Sequence, residues 1–173
     1  MSDSELTPMM QQYQNIKNQY QDCILFFRMG DFYEMFEEDA SEVSSLLNIT
    51  LTKRNGIPMC GIPYHASHPY ISRLLRAGKK IAICEQISMP EGGKGIAERE
   101  IVEIVTPGTV LEEDILTGKE NNFLASIGRY KDDISFSYID SSTGEFFTTM
   151  FSGSNTLERV KEEIVKINPS EIL

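Results

Sequence analysis

Two short aromatic runs, Cys23-Ile24-Leu25-Phe26-Phe27 and Phe32-Tyr33-Glu34-Met35-Phe36, flank the sequence Arg28-Met29-Gly30-Asp31. No other stretch limits the fold so strongly. Each run is too short and too aromatic for a helix, and Met29-Gly30-Asp31 turns the chain between them, so the pair reads as a hairpin or strand-loop-strand. Helices bracket it. Thr7 is a cap and Pro8 takes the first helical position, after which Met9, Tyr13, Ile16 and Tyr20 recur on one face. On the far side, Glu37, Glu38 and Asp39 supply acids to the first turn of a second helix whose inner face carries Ala40, Val43, Leu46 and Leu47.

Beyond residue 48 the pattern predicts a short strand at Ile49-Thr50-Leu51 that ends in the turn Asn55-Gly56. Residues 57–63 hold two prolines and an internal glycine and read as an extended, irregular loop. A third helix opens at Ser67 and Pro69, turns Tyr70, Ile71, Leu74 and Leu75 inward and closes at Gly78. Residues 80–86 and 100–106 read as strands on either side of the glycine-rich loop at 90–95. A polar connector at 112–122 marks the domain boundary, giving domains 1–117 and 118–173. The second contains three β-prone runs (123–127, 134–139, 145–151). A capping box at Asn155 and Glu158 then starts a helix with Leu157, Val160, Ile164 and Ile167 inward. Asn168-Pro169 stops it, and a further strand begins at Glu171. A meander, a helix and one more strand do not close an α/β sheet, so this unit reads as the first part of a larger domain.

Composition excludes several classes. No apolar run reaches the ~20 residues that span a bilayer, and the N-terminus is acidic where a secretory signal is basic, so a cytoplasmic location is expected. Cys23, Cys60 and Cys84 form no Cys-x-x-Cys pair and read as reduced and buried. Cys60, His65, His68 and Cys84 do not complete a recognisable metal-ligand spacing. The loop Gly92-Gly93-Lys94-Gly95 lacks the Gly-x4-Gly-Lys-Ser/Thr arrangement that cradles phosphates, so no nucleotide hydrolysis is expected of this chain. Asp140 lacks the converging acidic partners of a two-metal nuclease. The 173 residues carry a net charge of −10, yet between Lys53 and Arg99 eight basic residues face three acidic ones, a local +5. A basic segment inside an acidic chain can form a local anion-binding face.

By period alone, Phe32 and Phe36 face a core while Tyr33 and Met35 face outward. The segment Phe27-Arg28-Met29-Gly30-Asp31-Phe32-Tyr33-Glu34-Met35-Phe36 also resembles the N-terminal mismatch-recognition domain of the MutS family of DNA mismatch repair proteins. The family's Phe-x-Glu motif stands here as Phe32-Tyr33-Glu34. Other blocks follow in family order: residues 7–13, Leu51-Thr52-Lys53-Arg54, Ile57-Pro58-Met59, Gly61-Ile62-Pro63-Tyr64-His65-Ala66, Ala82-Ile83-Cys84-Glu85-Gln86 and Val105-Thr106-Pro107-Gly108-Thr109. The turn from Arg54 to Ile57 looks shorter than in many relatives.

The resemblance implies an α+β fold: a mixed-sheet mismatch-binding domain with flanking helices, then a truncated, α/β RNase H-like connector domain without nuclease activity. It implies that Phe32 is an aromatic wedge entering the minor groove of mismatched double-stranded DNA, with Glu34 beside it on the displaced base. Met29 and Met59 are then soft apolar contacts. Lys53, Arg54, Arg73, Arg76, Lys79, Lys94 and Arg99 are candidates for phosphates, which position without specifying. No catalytic or metal residue and no cofactor are expected in this chain. ATP, magnesium, a homodimer and downstream repair factors are implied for the full-length parent. Two other classes stay open on the residues: a protein-interaction module of a repair complex, and a metal-dependent hydrolase using His65, His68 and Asp140.

Overall fold

In the computed structural model, which describes residues 6–88, 95–109 and 121–173, the two aromatic runs pair as the predicted hairpin. Strand β1 (Cys23–Met29) and strand β2 (Phe32–Phe36) are antiparallel. Met29 pairs with Phe32, which leaves a two-residue turn. Gly30 occupies it at φ +57°, a left-handed conformation that costs glycine nothing. The chain divides into two compact units, Met1–Val105 and Thr106–Leu173. The boundary expected between residues 117 and 118 lies outside the described residues, as does Lys94.

Unit one contains α1 (Pro8–Lys17), β1, β2, α2 (Glu37–Leu47), β3 (Thr52–Arg54), β4 (Ile57–Pro63), a 3-10 turn (Tyr64–Ala66), α3 (His68–Arg76), β5 (Lys80–Ser88) and β6 (Glu98–Val105). The strands form one sheet in the order β3-β4-β2-β1-β5-β6. Among these described strands only β1 and β5 are parallel neighbours, so the sheet is mixed. Strand alternation divides the apolar residues between two faces. On one, Leu25, Phe27, Phe36, Ala82 and Cys84 pack with Met10 and Tyr13 of α1. The Tyr13 ring meets Phe27 and Phe36 edge-on, at 5.4 and 5.0 Å between centroids, the favoured aromatic geometry. On the other face, Ile24, Phe26, Met35, Cys60, Ile62, Ile81 and Ile83 are buried. There the Cys60 thiol donates to the Ala40 carbonyl of α2 at 3.5 Å. Helix α3 joins α2 in that layer, with Arg73 donating to the Leu46 carbonyl at 3.2 Å and Lys79 paired with Glu42 at 2.5 Å.

One carboxylate ties three elements together. Asp39, in the first turn of α2, accepts from the Leu25 amide at 2.9 Å, from Lys17 Nζ at 2.8 Å and from the Tyr13 hydroxyl at 3.4 Å. Lys17 also donates to the Cys23 carbonyl at 2.6 Å. Buried charge is tolerated when paired and hydrogen-bonded, as here.

Several local expectations are corrected. Residues 57–63 form strand β4 rather than an irregular loop, because Pro58 and Pro63 fall near its ends while Met59 to Ile62 pair with β2. The strand before it begins at Thr52, and Asn55 and Gly56, at φ +51° and +83°, close a two-residue hairpin turn of the mirror-image class. Leu46 is exposed, Met10 rather than Met9 is the methionine that α1 buries beside Tyr13, and Tyr20 lies beyond that helix.

Unit two is an antiparallel meander of β7 (Phe123–Tyr130), β8 (Asp133–Asp140) and β9 (Phe146–Phe151), with β10 (Glu171–Ile172) parallel to β7. Helix α4 (Thr156–Ile167) packs Val160 against Ala125, Ile134, Phe136 and Phe151, with Ile164 and Ile167 partly buried beside them. Leu157 is exposed instead of inward. The capping box does not form: Asn155 is left-handed at φ +60°, which removes the extended geometry a side-chain cap requires, and the Thr156 hydroxyl donates to the Gly153 carbonyl at 2.7 Å. Asp140 is buried at the end of β8. Burial pushes its carboxyl up, but bonds from the Ser142 hydroxyl (2.7 Å), the Ser142 amide (2.9 Å) and the Asn122 amide (3.3 Å) hold it below its ordinary value. That is the work of a turn-stabilising acid.

Removing the Asp39 carboxylate strands a lysine and a buried amide. Asp39→Ala is therefore expected to destabilise unit one by roughly 3 kcal/mol, read as a lower urea midpoint. Lys17→Met, which leaves the Leu25 and Tyr13 bonds in place, should cost less.

Candidate nucleic-acid interface

Phe32 opens β2 and is 47% exposed, whereas the four residues after it are at most 7% exposed. The contrast comes from position. Tyr33 to Phe36 lie between β1 and β4 in the interior of the sheet, while Phe32 sits beside the turn, opposite Met29 on one side and Pro63 on the other. The core assignment that period alone allows Phe32 is therefore corrected, and the aromatic ring stands in solvent.

Register places further candidates on the face of β2 that carries Phe32 and Glu34. Across from Glu34 are Phe27 and Gly61; Met29 and Met59 lie on the same face of β1 and β4, Arg54 on that of β3 and Arg99 on that of β6. Gly61 lies directly beside Glu34, and a Cβ there would make only ordinary contact, 3.7 Å from Glu34 Cγ. Arg54 reaches across β4 and donates to Glu34 Oε2 at 2.5 Å. Burial pushes the Glu34 carboxyl up from its ordinary value, and Arg54, then Arg99, pull it partway back.

The basic candidates do not form one strip. Arg99 is buried: its Nε donates to the Arg28 carbonyl at 2.7 Å and its Nη1 to Gln12 Oε1 at 2.9 Å and the Ala97 carbonyl at 3.1 Å. Its guanidinium also lies 4.8 Å from the Phe27 ring centroid and 3.3 Å from Met29 Sδ. A group so committed to internal acceptors braces the sheet, which corrects its assignment to phosphate. Arg73, Arg76 and Lys79 belong to or follow α3, in the layer on the opposite face from Phe32. Lys53 is exposed on β3, and its alternation with Arg54 turns it to that opposite face.

The metal candidates are not brought together. Among the described residues no group of three or more His, Cys, Asp and Glu side chains could hold a metal ion. Burial pushes the Cys60 thiol up to about 11 and the Cys84 thiol up to about 12, so both are protonated, apolar core residues. Among the described residues no helix is long and apolar enough to cross a membrane. Sequence reading overlooks Gln12, whose side-chain amide also donates to the Ala97 carbonyl at 3.2 Å. A contact 85 residues apart leaves no local signal.

Residues 7–114 match the family model of MutS domain I, and residues 122–173 match that of MutS domain II. The DNA mismatch repair protein MutS of Treponema denticola is 55% identical over 177 residues, covering 96% of this chain and 20% of that protein. The protein of the same name from Halothermothrix orenii is 52% identical, covering 98% and 19%. That of Staphylococcus aureus is 53% identical, covering 98% and 20%. The chain thus spans about a fifth of the length of the curated relatives it matches.

The Glu34 environment has a readable sign. A carboxyl whose folded pKa exceeds its unfolded one binds its proton more tightly when folded. Its contribution to stability is complete below the unfolded value of 4.5 and is lost as pH rises through the folded value. Carbon-13 NMR of the Glu34 carboxyl should give a midpoint above 4.5, and Arg54→Met should move it higher. Glu34→Gln should remove this part of the fall in stability above pH 4.5, seen in unfolding midpoints across a pH series.

Proposed function

The chain belongs to the MutS family, and on that premise we propose that it recognises mispaired or unpaired bases in duplex DNA, as the first step of mismatch repair. The observation that carries this reading is Phe32: a large apolar ring in solvent at the end of a strand whose remaining residues are buried.

A mismatch differs from a paired step mainly in how cheaply it deforms, so a protein can sense it by testing deformability. Phe32 enters from the minor groove and stacks on one base of the mispair. Unstacking a step costs a few kcal/mol, less where pairing is already poor, and the kink it produces lets more of the protein meet the duplex. Stacking on the ring returns about 1–3 kcal/mol per base. In a matched duplex the same insertion also breaks a sound base pair, and the balance turns unfavourable.

Glu34 follows Phe32 by two residues on the same face and hydrogen-bonds the displaced base. Its burial favours the protonated form, which can donate as well as accept. When ionised near phosphates it repels duplex that offers no base in return, which sharpens discrimination. Met29 and Met59 flank the pair as adaptable apolar contacts. Arg54 and Lys94 are the proposed phosphate contacts, whereas Lys53, turned to the face opposite Phe32, and Arg73, Arg76 and Lys79, in the layer on that face, fall outside the proposal. Recognition of this kind makes and breaks no covalent bond. ATP and magnesium use, homodimerisation, engagement of downstream repair factors and a cytoplasmic location are proposed for the whole protein.

Paired affinities for matched and mismatched duplex at fixed salt, measured in the full-length context, test the reading. Phe32→Ala should lower the mismatch-to-match ratio by about 5- to 150-fold, the equivalent of one lost stack, with circular dichroism unchanged. Glu34→Ala should raise matched-duplex binding and so shrink the ratio from the other side. A Phe32→Ala protein that folds and keeps its ratio contradicts the proposal.

A further inference from the structure

Phe32 sits beside the two-residue turn Gly30-Asp31, and a ring on a loose turn would lose the geometry that stacking demands. On the sheet face opposite Phe32, a side-chain cluster grips that turn. Arg28 Nε donates to the Gly30 carbonyl at 2.5 Å, and its Nη1 pairs with Glu85 Oε2 of β5 at 3.1 Å. The guanidinium lies 3.3 Å from the ring centroid of Tyr64 and 5.9 Å from that of Tyr33. The Tyr33 hydroxyl donates to the other Glu85 oxygen, Oε1. From the 3-10 turn after β4, the Tyr64 amide donates to the Asp31 carbonyl at 3.0 Å. Both carbonyls of the turn are thereby held, one by a guanidinium and one by the residue on which that guanidinium stacks.

We propose that Arg28, stacked on Tyr64 and anchored by Glu85, is a positioning residue that fixes the Gly30-Asp31 turn and so orients Phe32 for insertion. This rests on the wedge reading above. Alternation along β1 and β2 puts the Arg28 side chain on the face away from Phe32 and Glu34, so it acts on the wedge through the turn and leaves the Phe32 face clear. Planarity matters: only a guanidinium can stack on Tyr64 while sending one N–H to Gly30 and another to Glu85, and a lysine ammonium cannot do all three. The cluster unites β1, β2, β5 and the segment after β4, so it stiffens the corner of the sheet where the two-residue turn alone would leave it free.

Two readouts test this. Amide hydrogen exchange on the 173-residue chain reads the turn without DNA. Arg28→Met and Tyr64→Leu should speed exchange at the backbone amide of position 64 and at the amides of Asp31 and Phe32 by up to about tenfold, the scale of one lost hydrogen bond. Tyr64→Phe, which keeps the ring, should match wild type. Paired affinities for matched and mismatched duplex in the full-length context read the wedge. Arg28→Lys, which keeps the charge, should lower the mismatch-to-match ratio as Arg28→Met does, and Tyr64→Phe should leave it intact. If Arg28→Lys retains the full ratio, or if exchange at the turn is unchanged in both Arg28→Met and Tyr64→Leu, the inference is overturned. Phe32→Ala run alongside separates the two claims: a ratio unmoved by Phe32→Ala defeats the wedge reading, whereas a ratio lowered by Phe32→Ala but not by Arg28→Met defeats the positioning role alone.

Discussion

Strand β2 is hydrogen-bonded along both edges, by β1 and β4, and covered on both faces, by α1 on one side and by the layer of α2 and α3 on the other. That double enclosure fixes everything the candidate interface depends on. A one-residue slip of β2 would move Phe36 out from under Tyr13 and bring Met35 into its place, reversing every side chain on the strand. Burial of Tyr33, Met35 and Phe36, at about 1.5–3 kcal/mol for each large side chain, opposes such a slip. The first residue of the strand alone escapes the enclosure. Phe32 is thus an exposed aromatic on a rigid base, the arrangement a stacking probe requires.

The same architecture explains how the sheet tolerates charge within the face that carries Phe32. Arg99 is buried but gives its N–H groups to Arg28, Gln12 and Ala97 and rests on Phe27. Glu34 is buried but paired with Arg54 from the neighbouring hairpin. Asp39 performs the equivalent service deeper in the core, joining α1, β1 and α2. In each case a polar group desolvated by the sheet is matched to partners fixed by backbone register, so its cost is met locally. For Glu34, burial outweighs the pull of Arg54 and Arg99 and leaves its carboxyl above its ordinary value.

Much of this is legible from residues alone. The hairpin, the helix begun at Thr7-Pro8, the helix from Glu37 and the meander of the second unit all announce themselves through period and turn chemistry. Strand β4 does not, because two prolines in seven residues read as a loop until the ladder with β2 reveals that they fall near its ends. Asn155 and Glu158 carry the letters of a capping box, but the left-handed backbone of Asn155, set by the turn before it, denies the geometry. For the site, the Phe-x-Glu segment stands out through its resemblance to the family motif, since period alone assigns Phe32 to the core. The burial of Arg99 and the displacement of Arg73, Arg76 and Lys79 to the other layer are tertiary facts, since charge counted along a chain does not say which face of a sheet it will occupy. Arg28 and Tyr64 escape sequence reading for the same reason, their contact being made only when β4 returns beside β2.

The central claim is that the Phe32 ring itself meets the mispaired base, and replacing Phe32 with a photoactivatable phenylalanine analogue in the full-length context tests it most directly. On irradiation with a duplex carrying one mismatch, crosslinks should concentrate at the mispaired base, mapped by strand cleavage, and should be weak and scattered on the matched duplex of otherwise identical sequence. Crosslinks of equal yield and spread on both duplexes, with the protein folded and bound, would show that this ring does not read the mismatch.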